Sequence, residues 1–220
     1  MKPSVSFLAL VFALFSPFLV AADRDPSPGD SDKITGSAIT HEINIARQTP
    51  KLYAIFLEHT RLNYPGRGRL CAHEGVRAMD EAIRFLRRTR QVPPLALSPG
   101  LCSAASDHCR EQVGGAFGHR GRGGSDPGSR ISRYGVVAQG WAENICYGQR
   151  SARAIVMALV IDHGVRGRGH RRNIFNPNYD AAGAAYGPHA GYGSVCSIDF
   201  ASGYAEGTTA GVGTAAANSF

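Results

Sequence analysis

The sequence predicts an α+β fold in which helices come first and a short sheet follows. Two observations lead to this prediction. Several segments before residue 175 have apolar residues at helical spacing or begin with a helix cap. Beyond residue 180, apolar and polar residues alternate in the manner of strands. Helices that precede a small sheet along the chain are typical of the α+β class.

Two helices are predicted with defined ends. The first covers residues 74–90, where apolar residues at three- and four-residue spacing indicate one buried face: Val76, Met79, Ile83 and Leu86. The second begins at Ser98-Pro99, a serine N-cap followed by proline in the first turn, and ends at Gly114-Gly115. A third helix follows the cap Ser151, and because it is apolar all round we expect it to be buried.

Two strands are predicted near the C-terminus, over residues 181–186 and 193–201. In the second strand, alternation places one set of side chains on one face and leaves Ser197 and Asp199 on the other: Cys196, Ile198 and Phe200. From residue 202 onward Gly, Ala and Thr dominate, which predicts a disordered tail over residues 202–220.

The first 22 residues have the features of a secretory signal peptide. Lys2 supplies a positive charge, a mostly apolar stretch covers residues 7–20, and Val20-Ala21-Ala22 offers small residues for cleavage. The apolar stretch is shorter than the roughly 20 residues of an ordinary membrane-spanning helix. We therefore expect cleavage after Ala22, a secreted or periplasmic protein, and no transmembrane anchor in the mature chain.

Between the signal peptide and the first predicted helix lies a leader and N-terminal extension, residues 23–73. Residues 23–39 are rich in Asp, Ser, Pro and Gly, which indicates a flexible leader. Scattered apolar residues over 40–58 are compatible with one helix that packs on the domain. The whole chain of 220 residues suits one domain, at 74–201, with extensions on both sides.

Charge and cysteine content limit the partners and the redox state. A formal net charge of +7 attracts anionic partners, and export argues against nucleic acid among them. Export also permits disulfides among the five cysteines, with one left over. Cys102 and Cys109 lie about 10 Å apart on one predicted helix, too far to bridge each other. We predict a disulfide between Cys146 and Cys196.

Three short motifs follow one another behind the Ser-Pro helix. They are Phe117-Gly118-His119, Trp141-Ala142-Glu143-Asn144-Ile145 and Gly169-His170-Arg171-Arg172-Asn173-Ile174-Phe175-Asn176-Pro177. In this order and spacing they resemble the CAP superfamily (cysteine-rich secretory proteins, antigen 5 and pathogenesis-related proteins), and more closely its bacterial SCP-like extracellular branch. The resemblance covers about residues 74–201.

The resemblance implies a three-layer α-β-α sandwich with a central cleft lined by two histidines and two acids. Carried over by motif, these are His119, His170 and Glu143. The second acid lies three residues after a Trp in animal and plant members. Leu159 takes the Trp position here, which assigns Asp162 as the fourth cleft residue.

Three interpretations of this residue set stay open. His119 and His170, with Glu143, are plausible ligands for Zn²⁺. The imidazoles and carboxylates also suit general acid/base catalysis. The third interpretation is a satisfied polar network that holds loops to the core. No HExxH, GxSxG or Walker-type sequence accompanies the motifs.

Arginines cluster around both histidines and predict an anionic ligand at the rim of the cleft. The alternative is a solvated surface. The assigned rim residues, together with Arg166 and Arg168, are Arg120, Arg122, Arg171 and Arg172.

The function expected from the sequence is a secreted module that binds an extracellular lipid, glycan, protein or anionic group, with or without a divalent metal. A metal-dependent hydrolase at the cell envelope or outside the cell is the alternative, and an interaction protein with a vestigial cleft is a third hypothesis. We expect a binding protein rather than an enzyme.

Overall fold

The computed structural model describes residues 34–63, 74 and 76–207. The predicted signal peptide, the first part of the predicted leader, Cys71 and residues 208–220 lie outside the described residues. Within the described part, no helix is long and apolar enough to cross a membrane.

The chain from residue 34 onward is part of the folded domain, which corrects the predicted boundary at residue 74. Two helices stand where the sequence predicted a leader and one helix: α1 (Gly36–Gln48) and α2 (Pro50–Leu62). Thr35 caps α1 by accepting a hydrogen bond from the backbone N–H of Ala38 at 3.1 Å. A proline at the first position of α2 suits a helix start, because its missing N–H would be unpaired there.

A buried arginine fastens α1 to the distant end of the chain. The Arg47 side chain is fully buried and donates hydrogen bonds to the carbonyls of Pro93, Ile174, Asn176 and Tyr179 at 2.7–3.2 Å. Burial lowers the pKa of Arg47 to about 10. The five N–H donors of a guanidinium explain how one side chain serves four carbonyls.

The two helices with predicted ends are present with small shifts. Helix α3 is Val76–Arg88 and α4 is Pro99–Gln112. Ser98 caps α4, as predicted, by accepting from the N–H of Leu101 at 3.1 Å. Three shorter helices follow in the described residues: α5 (Pro127–Ile131), the buried α6 (Ala152–Ile161) and α7 (Gly169–Ile174).

A sheet of four strands is formed by the described residues. The strands are β1 (Ala96–Leu97), β2 (Gly135–Tyr147), β3 (Ala181–His189) and β4 (Gly193–Glu206), in the order β1-β3-β4-β2. Strand β2 was not predicted, although it carries Glu143. It pairs antiparallel with β4 and forms one edge of the sheet.

Strand β4 continues to Glu206, so the prediction of disorder from residue 202 is wrong for its first residues. The Glu206 carboxylate accepts from Ser98 Oγ at 2.5 Å and from the N–H of Gly100 at 2.9 Å. These bonds attach the end of the strand to the start of α4. The abundance of small residues was not a reliable sign of disorder here. The segment is ordered because it pairs with β2.

The sheet lies between two helical layers, which confirms the predicted three-layer architecture. Cys196, Ile198 and Phe200 of β4 join the large core cluster that includes α1, α2, α3 and α6. The opposite face packs on α4. A side-chain atom built on Gly183, which is paired with Asp199, would lie 2.2 Å from the backbone N of Cys102, so α4 can approach this closely only over a glycine.

Candidate histidine–carboxylate site

Glu143 accepts hydrogen bonds from three side chains of the predicted cleft and its surroundings. It lies on the α4 side of edge strand β2 and is 6% exposed. One carboxylate oxygen contacts His119 Nδ1 at 2.8 Å, and the other accepts from Arg130 Nη2 at 2.7 Å and Ser197 Oγ at 3.1 Å. His108 Nε2 lies 3.9 Å from the first oxygen.

These contacts keep Glu143 ionised. Burial raises the pKa of Glu143, but the hydrogen bond from His119 and the charges of His108 and Arg130 outweigh it, so the pKa lies below its ordinary value. An ionised carboxylate only accepts hydrogen bonds, so His119 Nδ1 carries the proton. Nε2 is then the ring nitrogen that His119, with 52% of its side chain exposed, can offer to a ligand.

The loop that carries His119 is fixed on both sides. The N–H of Gly118 donates to Tyr147 Oη at 3.0 Å, and its carbonyl accepts from Gln112 Nε2 at 2.7 Å. Gly118 has φ +91°, a backbone conformation that other residues adopt with strain. Arg130 Nη2 completes the support by donating to the carbonyl of His119 at 3.1 Å.

Arg130 itself is positioned by the short helix α5. Asp126 and Ser129 form a reciprocal capping box at the start of α5, with the Ser129 N–H donating to Asp126 Oδ1 at 2.9 Å. Arg130 is fully buried and also donates to the carbonyl of Ser125 at 3.1 Å. Arg130 lies outside the three motifs and was not predicted as a site residue.

Asp162 and His170 form a second pair. Oδ1 of Asp162 contacts His170 Nδ1 at 2.7 Å, and Oδ2 accepts from the backbone N–H groups of His170 (2.9 Å) and Arg171 (3.2 Å). Asp162 is 2% exposed and ends α6 in the left-handed conformation, with φ 55°. Asp162, which was assigned from its position three residues after Leu159, therefore contacts His170 directly. The His170 side chain is 23% exposed.

Consecutive residues of β2 connect both pairs. Glu143 binds His119, and on the other face Asn144 Nδ2 donates to the carbonyl of His170 at 3.1 Å. Asn144 Oδ1 in turn accepts from Asn173 Nδ2 at 2.8 Å. The middle motif therefore joins the outer two, and both histidine segments are attached at the edge strand.

The predicted arginine rim is corrected at Arg171. This residue is 3% exposed, and its guanidinium donates to the carbonyls of Val160 and Ile161 at 2.5 and 2.9 Å and to Glu81 at 2.9 Å. It closes the C-terminal end of α6 and is not available at a rim, because three acceptors already occupy it. The other three assigned rim residues are exposed: Arg120, Arg122 and Arg172.

Asp199 is a buried carboxyl that the sequence analysis assigned to a face but not to the site. It lies directly opposite Glu143 in the β2–β4 pair and is fully buried. Among the described residues, neither of its oxygens has a hydrogen-bond partner. Burial raises the pKa of Asp199 well above its ordinary value, and the charge of Glu143 raises it further. Asp199 therefore keeps its proton to a higher pH than Glu143 does.

The donor set bears on zinc in two ways. Each imidazole has a carboxylate on Nδ1, which is how metal-ligating histidines are commonly oriented. Within the described residues, however, no group of three or more His, Cys, Asp or Glu side chains is arranged to hold a metal ion. Resident zinc sites use at least three protein ligands. Zinc binding by His119 and His170 stays a prediction. We expect the ion to be weakly held, with Glu143 orienting His119 rather than contacting the metal.

Comparison with known proteins identifies the family. The sequence profile of the Cysteine-rich secretory protein family (CAP) matches residues 72–200, more than half of the chain. The chain belongs to the cysteine-rich secretory protein family. The resemblance inferred from the three motifs is confirmed, over nearly the same range as the predicted domain. Among curated proteins, none matches the sequence.

Three solved structures are similar to this member of the family. An extracellular protein containing a SCP domain from Bacillus anthracis shares 19% identity (TM-score 0.40) over 50% of this chain and 34% of its own. An outer surface protein from Borrelia burgdorferi shares 17% (TM-score 0.42) over 50% and 79%. A cysteine-rich secretory protein from Staphylococcus aureus shares 15% (TM-score 0.36) over 57% and 37%. The alignment spans about a third of the first and third proteins.

Proposed function

We propose that this chain is an extracellular binding domain whose ligand contacts the imidazole edges of His119 and His170 beside β2. The observation that carries the proposal is the orientation of the two rings. Both Nδ1 atoms are bound to buried carboxylates, at 2.8 Å on Glu143 and 2.7 Å on Asp162, which leaves both Nε2 atoms as the ligand-facing groups.

The same contacts argue against the hydrolase alternative. A general acid must carry a proton near neutral pH, whereas Glu143 has a pKa below its ordinary value and three donors on its oxygens. Both oxygens of Asp162 are occupied by His170 and by backbone N–H groups. These carboxylates hold the histidines in place, and neither is poised to exchange a proton with a substrate.

Aromatic rings next to His119 support a ligand with an apolar face. Phe117 is 67% exposed and stacks on Tyr147 with a centroid distance of 4.7 Å. Tyr192, 46% exposed, lies 6.0 Å from the Phe117 ring. An exposed aromatic surface beside a hydrogen-bonding imidazole suits the face of a sugar ring or a lipid chain with a polar head.

The proposed extracellular setting depends on export. Export is predicted from the apolar stretch over residues 7–20 and the Val20-Ala21-Ala22 cleavage site. N-terminal sequencing of the protein recovered outside the cytoplasm should begin at Asp23. Recovery of intact chain with Met1 from the cytoplasm alone would contradict export.

Ligand-observed NMR tests the binding function. An N-acetylglucosamine tetrasaccharide and phosphatidylcholine micelles are the probes, and we expect the full-length mature protein to bind one of them. His119→Gln and Phe117→Ala should each weaken that binding at least fivefold. His41→Ala, on the exposed side of α1, is the matched control and should leave it unchanged.

Turnover measured on the same samples decides between binding and hydrolysis. Ester, amide and glycoside substrates should remain intact with and without added Zn²⁺. Hydrolysis by the wild type that is lost in His119→Gln would replace the binding proposal with the hydrolase alternative.

A further inference from the structure

A basic groove runs along the solvent side of α3. Two cavities of about 540 and about 440 Å³ lie there, and Glu81 and Arg84 line both of them. The segment from the end of α6 into α7, here called the α6–α7 segment, supplies the opposite wall through Arg168 and Arg171. The sequence analysis used α3 only for its buried face.

The spacing of charged residues on α3 forms one stripe. Positions 77, 81, 84 and 88 are separated by four, three and four residues, so their side chains follow one face of the helix. The opposite face is buried in the core and holds Met79, Ile83 and Leu86. Helix packing therefore orients the stripe toward solvent.

Glu81 in the middle of the stripe is already neutralised. Its oxygens accept from Arg168 Nη2 at 2.6 Å and Arg171 Nη1 at 2.9 Å. Arg168 also pairs with Glu74 at 2.8 Å. The two acidic residues of the groove are thus matched by the two arginines of the α6–α7 segment.

Three arginines of the groove remain without a counter-charge: Arg77, Arg84 and Arg88. All three are exposed, and within the described part of the chain their guanidinium groups form no ion pair. The flank of the same helix behaves differently. There Arg87 pairs with Glu58 at 2.7 Å, and Asp80 pairs with Arg61. The arginines of α3 that lack a counter-charge are therefore the ones that line the groove.

We propose that this groove binds a linear anionic polysaccharide, one carrying sulfate, phosphate or carboxylate groups along its chain. Arg77 and Arg84 lie about two helical turns apart, roughly 10 Å, and Arg84 and Arg88 about one turn, roughly 6 Å. That spacing matches several charges on a chain better than one isolated anion. Guanidinium groups bind such oxyanions in two-point contacts.

The shape and the family favour this occupant over two others. A lipid surface is flat and touches convex regions, whereas the three arginines line a groove. Nucleic acid has the same charge, but a member of a secretory protein family meets extracellular glycans. Neither His119 nor His170 lines the groove, although Arg171 adjoins the Asp162–His170 pair, so the inference does not rest on the proposed function.

The test compares two triple variants of the full-length mature protein that lose the same charge. The groove variant is Arg77→Gln, Arg84→Gln and Arg88→Gln. The control variant is Arg110→Gln, Arg133→Gln and Arg150→Gln, all exposed and outside the groove. A heparin-derived octasaccharide is the probe, with a neutral dextran of equal length alongside, and affinity is measured calorimetrically at low and physiological salt.

We expect the octasaccharide to bind and the dextran not to bind. The groove variant should lose about tenfold in affinity, since it removes three exposed ion pairs. The slope of log affinity against log salt should fall by about one for each arginine removed. The control variant should stay within about threefold of the wild type. Circular dichroism establishes that both variants are folded.

Three results would overturn the proposal. Equal losses in the two variants would mean that overall charge, and not the groove, attracts polyanions. Absence of octasaccharide binding to the wild type would remove the site. Tighter groove-dependent binding of a single-stranded DNA oligomer, or of phosphatidylglycerol vesicles, would assign the groove to that other class of partner.

Discussion

Glu143 and Asp199 lie directly opposite each other on neighbouring antiparallel strands, and both are buried on the side of the sheet that faces α4. The two carboxyls differ in their surroundings. Glu143 has His119, Arg130 and Ser197 as donors, whereas neither oxygen of Asp199 has a hydrogen-bond partner in the part of the chain that the structure describes. As a result the pKa of Glu143 is lowered and the pKa of Asp199 is raised, so the two adjacent acids ionise in different pH ranges.

The raised pKa of Asp199 predicts how stability depends on pH. Its pKa is raised in the folded protein, so above about pH 4 the unfolded chain releases a proton that the folded protein keeps. Stability should therefore fall as pH rises through this window, by up to about 1.4 kcal/mol per pH unit for this one group. Asp199→Asn cannot ionise and should remove that dependence.

Urea denaturation at pH 5 and pH 8 measures this effect. We expect the stability of Asp199→Asn relative to the wild type to be greater at pH 8 than at pH 5. A difference between the two proteins that does not grow with pH would show that Asp199 is ionised in the folded state.

Removal of Arg130 should be strongly destabilising, because it leaves the buried Glu143 carboxylate without its closest cation. Breaking a buried ion pair from one side costs about 3–5 kcal/mol. Arg130→Met should therefore lower the free energy of unfolding by about that amount. Arg110→Met, whose side chain is 66% exposed on α4, is the control and should change it by less than about 1 kcal/mol.

A double variant separates the charge from the packing at this position. Adding Glu143→Gln to Arg130→Met removes the unpaired charge and should recover part of the lost stability. No recovery would mean that Arg130 acts through its bonds to the carbonyls of Ser125 and His119 instead.

The fold could be predicted from the sequence wherever pattern and local chemistry agree. Helices α3 and α4 were found because their apolar spacing, caps and proline stops all indicate the same ends. Strand β2 was missed because its exposed first half, with Val136 at 69% exposure, breaks the alternation. This segment is a strand because it pairs with β4. Such pairing joins residues far apart in the sequence, so a local pattern does not reveal it.

The members of the two histidine–carboxylate pairs were predicted by motif, and the residues that hold them were not. His119, Glu143 and His170 lie within short recognisable stretches. Arg130, Ser197 and Asp199 reach the site only through the capping box of α5 and the register of β4. No local sequence feature marks them, so only the three-dimensional arrangement reveals the carboxyl pair and its cation.

The predicted disulfide between Cys146 and Cys196 remains untested by the structure, in which the four described cysteines are free thiols. The two residues are paired in the β2–β4 register, where opposed Cα atoms lie about 4.5–5.5 Å apart, within the range of a disulfide. Peptide mapping without reductant should recover them linked. Recovery of both as alkylated thiols after denaturation would contradict the prediction.

Zinc binding by the two histidines should be weak and should depend on both rings. Calorimetric titration with Zn²⁺ is the measurement. His119→Ala and His170→Ala should each abolish the zinc uptake of the wild type, because a single imidazole then remains to hold the ion. His59→Ala, at an exposed position on α2, should not change it. Unchanged affinity in both cleft variants would reject zinc at this site.

Finally, a fragment limited to residues 74–201, the domain predicted from the motifs, should fail to fold stably, whereas residues 34–207 should fold. The shorter fragment lacks Ile39 and Ile43, which are fully buried in the main core. It also loses the Arg47 bonds to four carbonyls and the Glu206 cap on α4.

Each of these losses is large on the scale of domain stability. Removing one fully buried Ile side chain costs about 2–5 kcal/mol, against a typical total of about 5–15 kcal/mol. Thermal unfolding followed by circular dichroism should show a cooperative transition for residues 34–207 and none for 74–201. Restoring residues 202–207 alone should not rescue the fragment, because the core left open by α1 and α2 stays exposed. A cooperative transition in the short fragment would show that the N-terminal helices are accessory, as the sequence first indicated.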